Sequence, residues 1–153
     1  MFTDVFGLKG RVVVTMKDVR DGREWTAWDD HNLIVGSLRT GWVGWLTGSS
    51  WNPPSWIGIG TGTASATSQS ASGLQFETVR QSATVRENLS LYTAKYVTTY
   101  GTTVGNGTIR EAGLFNASGV ASMFAIAQLN VVKNSSNAMS VTWFLAVMSG
   151  SAL

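Results

Sequence analysis

Apolar and polar positions alternate along much of this chain with the two-residue period of β-strands. Arg11-Val12-Val13-Val14-Thr15-Met16-Lys17 is a β-branched run, and Asp21-Gly22 supplies a tight turn before Arg23-Glu24-Trp25-Thr26-Ala27-Trp28. This predicts an opening hairpin. Asp29-Asp30-His31-Asn32 then reads as an interruption made of turn and cap residues. Beyond it Ile34, Leu38, Trp42 and Leu46 recur every fourth position, predicting one helix near residues 33–47, capped by Asp30 or Asn32 and ended by Gly48. Gly36, Gly41 and Gly44 fall inside it, each weakening a helix by about 1 kcal/mol relative to Ala, so packing must hold it.

After the stiff Pro53-Pro54 pair, residues 55–60 read as a short buried strand and residues 61–73 as a long loop of small polar residues. Strands are predicted over residues 74–85, 89–100, 108–116, 120–131 and 139–148. In the second of these Tyr92, Tyr96 and Tyr100 share a face, and in the last Met139, Val141, Trp143, Leu145 and Val147 do. Asn116-Ala117-Ser118-Gly119 reads as a hairpin connection with Gly119 left-handed. Roughly six to nine strands, one helix and no βαβ rhythm predict a mainly β protein, an antiparallel β-sandwich or jelly-roll-like fold with one short helix. Residues 1–10 read as an N-terminal arm and residues 11–153 as a single domain, as suits a chain of 153 residues.

Composition sharpens the functional expectation. Only 13% of residues are charged, against about 25% in ordinary domains, and the polar remainder is mostly Ser, Thr, Asn and Gly. Such a surface suits contact with other proteins better than a free, highly soluble monomer. The net charge is +2 and the basic residues are scattered, with Arg11, Lys17, Arg39, Arg80, Lys95 and Lys133 expected on solvated strand faces and rims, so no specific nucleic acid is expected. No run of 18 apolar residues suggests a membrane helix, and the N-terminus lacks the pattern of a signal peptide. The chain reads as made in the cytosol.

Chemistry-bearing patterns are sparse. His31 beside Asp29 and Asp30 is the one histidine, and there is no cysteine. Gly58-Ile59-Gly60-Thr61-Gly62-Thr63 lacks the lysine and following helix of a phosphate loop and reads as a strand leaving through close backbone packing. Glu111, in an apolar strand beside Arg110, suggests a buried Glu–Arg pair or an inter-subunit salt bridge. Trp42, Trp45, Trp51 and Trp56 cluster near the helix and are expected in the core or in subunit contacts. No enzymatic activity, metal or cofactor is expected.

The order of several short motifs resembles small virion proteins of tailed bacteriophages. They are His31-Asn32-Leu33-Ile34-Val35, then Ile57-Gly58-Ile59-Gly60-Thr61-Gly62-Thr63-Ala64, then Thr108-Ile109-Arg110-Glu111-Ala112-Gly113-Leu114-Phe115-Asn116-Ala117. Met123-Phe124-Ala125 and Ser140-Val141-Thr142-Trp143 complete the series. The likeness runs from about residue 24 to 148. It departs at Ala64-Ser65-Ala66, where that type usually carries Thr-Ala-Pro. The resemblance implies a virion structural role: a capsid decoration (cement) protein, assembled as a homotrimer on the major capsid protein, or a tail, collar or tail-fibre subunit. The single domain without coiled coil or repeats favours decoration. The expected assembly contacts are Phe2, Val5, Phe6, Trp42, Trp45, Trp51, Thr61, Thr63, Arg110 and Glu111, with residues 1–10 and 61–73 as contact arms. A carbohydrate-binding sandwich that uses the tryptophans is the rival class.

Overall fold

A computed structural model describes residues 6–63 and 68–149. Among them the chain runs β1 (Phe6–Asp18), β2 (Glu24–Ile34), α1 (Gly36–Leu46), β3 (Trp56–Gly60), β4 (Glu77–Ser82), β5 (Val85–Ser90), β6 (Thr93–Tyr100), β7 (Gly107–Phe115), β8 (Met123–Lys133) and β9 (Asn137–Ser149). All strands pair antiparallel in one sheet of order β4-β3-β7-β8-β2-β1-β9-β6-β5. The fold is therefore mainly β and antiparallel with one helix, as the alternation predicts.

The two layers expected of a sandwich are the two halves of this one curled sheet. β2 belongs to both: residues 24–32 pair with β1, and Leu33 and Ile34 pair with Ile126 and Ala125 of β8. The sheet's edges are the consecutive strands β4 and β5. Between them Ala83 N donates to Ser55 O, and Thr84 N donates to Val97 O, so the connection itself bridges the halves.

The inner faces meet in the main core. Val12, Val14 and Met16 of β1, Met139, Val141 and Trp143 of β9 and Tyr100 of β6 pack with Ile57 and Ile59 of β3, Ile109 and Leu114 of β7, and Phe124 of β8. The tyrosine face of β6 thus points inward, and its exposure grades along the strand. Tyr100 is fully buried, Tyr96 half-buried and Tyr92 exposed. Burial raises the Tyr100 phenol well above its ordinary pKa, and its hydroxyl donates to Ile57 O at 2.7 Å, tying one half to the other. Tyr100→Phe is expected to lower the unfolding free energy by about 1–2 kcal/mol in urea titration, because it strips a buried carbonyl of its donor.

A second, smaller apolar cluster lies outside the sheet. Val35, Phe115, Met123 and Ile126 pack there against Leu33, Trp56, Ala71 and Leu74, so the segment before β4 covers the outer face of β7 and β8. That is why β7, unlike a half-solvated strand, is buried on both faces from Glu111 to Phe115.

Several boundaries differ from expectation. The polar run at residues 29–32 does not interrupt β2, because it is paired residue by residue with β1, with Asp29, Asp30 and His31 exposed and the Asn32 amide packed over Gly10; Arg11 Nε donates to Asp29 Oδ1 at 2.7 Å between the two strands. The helix therefore starts at Gly36, with Val35 in the cap position and no side-chain cap, rather than at a cap on Asp30 or Asn32. Residues 6–10 of the expected arm are strand, paired with β9 from Ser149 to Leu145, while residues 1–5 lie outside the described residues. The strand expected over 89–100 is two strands, β5 and β6, turning at Leu91-Tyr92. Gly22 and Gly48 adopt positive φ, whereas Gly119 does not.

Candidate functional site

The expected contact residues separate into three places. Phe2 and Val5 lie outside the described residues, and Phe6 opens β1. Thr61, Thr63, Arg110 and Glu111 gather at the start of the long loop. Trp42, Trp45 and Trp51 gather around α1.

At the loop, Glu111 is fully buried, so it is not available to a partner subunit. Nor does it pair with Arg110, which sits at a β-bulge and is exposed. Its Oε1 accepts Gly62 N at 3.1 Å and Phe76 N at 2.7 Å, and its Oε2 accepts Gln75 N at 2.9 Å. Three backbone N–H groups satisfy the carboxylate where a cation was expected. The glycines of the Gly58–Gly62 motif make this possible. A Cβ on Gly60 would come within 2.3 Å of Phe76 O, and one on Gly62 within 2.5 Å of Glu111 Oε1. The close-packing reading of that motif is therefore right, and its reason is the buried glutamate. Thr61 N donates to Phe76 O and Thr63 N to Gln75 Oε1, leaving Thr61 and Thr63 themselves exposed. Farther along, Gly36 N donates to Gln69 O. Residues 64–67 of the expected contact arm lie outside the described residues; the parts described on either side are fastened to the body.

Two basic residues expected on solvated faces also fasten turns. Lys133 is buried, and its Nζ donates to Gly101 O at 2.7 Å and Asn106 Oδ1 at 2.8 Å, with burial lowering its pKa. Arg80 lies over the Phe115 ring at 3.5 Å, pairs with Glu77 and donates to Ala117 O and Gly119 O of the β7–β8 turn. The hairpin turn at Asp18–Arg23 is fixed electrostatically. The Arg20 guanidinium and backbone N–H hold Asp18 well below its ordinary pKa of 3.8, and Arg11 holds Asp29 below it in the same way. Carboxylates depressed on folding contribute stability that is present above pH about 4 and lost as pH falls through their folded values. The melting temperature is therefore expected to hold through neutrality and fall below pH about 4, with a shallower fall in Asp18→Asn. An equal fall in that variant would show that Asp18 does not carry the effect.

Around α1 the sequence places an open groove of about 280 Å³. It is lined by Leu8, Leu145, Val147 and Tyr96 from the inner face of β1, β9 and β6, by Trp42 and Trp51 from α1 and the chain after it, and by Leu91 and Tyr92 of the β5–β6 turn. Among the described residues, those lining it include no charged side chain. Trp51 is positioned by its tilted ring contact with Phe124, centroids 5.1 Å apart, and by Gly41, where a Cβ would come within 2.1 Å of the indole. That close approach is why the helix tolerates a glycine. Of the lining, Leu91 is 92% and Tyr92 67% exposed; on α1, three and four residues beyond Trp42, Trp45 is 62% and Leu46 66% exposed. The helical stripe of Leu38, Trp42 and Leu46 is legible in the sequence. Leu91 and Tyr92 are not, since the alternation over residues 89–100 predicts strand through them, whereas they form the β5–β6 turn.

Among the described residues no three His, Cys, Asp or Glu side chains come together in a way that could hold a metal ion, and no helix is long and apolar enough to cross a membrane. Compared with known protein families, with curated proteins and with solved structures, the chain matches none.

Proposed function

We propose that this chain is a structural subunit that works by binding other proteins in a larger assembly, and that the assembly is a bacteriophage virion. The observation that supports assembly is the apolar, uncharged groove flanked by Trp45, Leu46, Leu91 and Tyr92, since monomeric proteins rarely leave contiguous apolar surface of that kind to water. The low charge content favours the same reading. The virion, and decoration of the capsid shell in particular, rests on the motif order from His31 to Trp143. In this reading the subunit stabilises the shell by binding its assembled form in preference to its separate parts.

Quantitative mass spectrometry of particles produced from the genome that encodes this chain tests the proposal. Decoration predicts a copy number comparable to that of the major capsid protein. A ring-like or spike-like handful of copies would transfer the chain to the tail, collar or fibre, and absence from the particles would refute a virion role.

Glycan binding is the second reading, favoured by one feature of the same groove: its aromatic walls stand beside the amide and hydroxyls of Asn88, Ser90 and Thr93. It predicts glycan-array signals that disappear in Tyr92→Ala while the melting temperature is kept.

A further inference from the structure

Resting on the assembly reading, we infer that the face made by the C-terminal half of α1 and the β5–β6 turn binds a second copy of this chain in a two-fold contact. Three features of the face carry this. First, it holds a projection and a recess side by side. Trp42 lines the groove, and Trp45 and Leu46, three and four residues on, stand on the same side of the helix and project into solvent. In a two-fold contact each copy gives and receives the same elements, so Trp45 or Leu46 of one copy enters the groove of the other and both features are covered at once. Second, the sizes agree. The groove, at about 280 Å³, exceeds the ~150 Å³ that accommodates a benzene ring in an apolar cavity, so a leucyl or indole side chain fits. Trp45, Leu46, Leu91 and Tyr92 together expose on the order of 600 Å², most of the ~800 Å² per partner that a standard interface buries. Third, two copies of this face do not repel each other, because the side chains lining the groove are uncharged.

Sedimentation velocity of the full chain over roughly 1–100 μM tests it. The wild type is expected to shift toward a dimer as concentration rises. Leu46→Asp and Leu91→Asp, at exposed positions, are expected to weaken the dimer at least about 100-fold by burying an unpaired carboxylate, with circular-dichroism melting unchanged. Val132→Asp, at an exposed position of β8 away from the groove, should associate like the wild type. A wild type that stays monomeric throughout, or variants that associate as it does, would overturn the contact. A chain monomeric alone but abundant on particles would end this inference and leave the assembly reading standing; absence from particles would count against the wider reading instead.

Discussion

Glu111→Ala is expected to lower the unfolding free energy by about 3–5 kcal/mol, because three backbone N–H donors lose their acceptor at about 1–3 kcal/mol for each that stays dry. The carboxylate is fully buried and accepts the N–H groups of Gly62, Gln75 and Phe76, all three from the segment that closes over the outer face of β7. Alanine leaves these three donors without the acceptor they share. Glu111→Gln should cost about 1–2 kcal/mol less, since an amide oxygen at the Oε1 position keeps two of the three bonds. Urea denaturation measures the totals. Hydrogen exchange at Gly62, Gln75 and Phe76 separates loss of this anchor from a general softening, because these amides should lose protection first. An alanine variant within about 1 kcal/mol of wild type would show that the loop is held by other contacts.

The second large effect is expected at Trp143, fully buried at the centre of β9, between β1 and β6. Trp143→Ala should cost about 3–5 kcal/mol through lost burial and the cavity left in a core shared by both halves of the sheet. Trp143→Phe should cost under about 2 kcal/mol, because the indole N–H makes no hydrogen bond among the described residues and nothing polar there is orphaned when it goes. Equal losses in the two variants would mean that this N–H has a partner that matters. The comparison therefore distinguishes a packing role from a hydrogen-bonding one.

Much of the fold was legible because strands announce themselves locally. The β-branched run of β1, the Asp21-Gly22 turn and the alternation from Met139 to Val147 each reflect a face that must be dry and a face that need not be. The helix was legible through Leu38, Trp42 and Leu46. The misread places share a cause. Asp29 and Asp30 are cap-like residues that a solvent-facing strand also tolerates, Asn32 is one that fits over a glycine of the neighbouring strand, and the choice between cap and strand was made by pairing with β1. Leu91 and Tyr92 continue an alternating pattern, and only the folding back of β6 on β5 makes them a turn.

By itself, then, the amino-acid sequence determined the β class, the opening hairpin, one helix and most inward-facing positions, because those follow from side-chain periodicity over a few neighbours. The tertiary structure alone decided that the two layers are one curled sheet, that Glu111 meets backbone amides in place of an arginine, and that an apolar groove opens beside Trp42. Each of these joins residues far apart in the chain: Glu111 to Gly62, Trp42 to Leu91, Tyr100 to Ile57. The partner of a buried polar group or an exposed ring is set by which distant segment arrives against it, and no local pattern encodes that arrival.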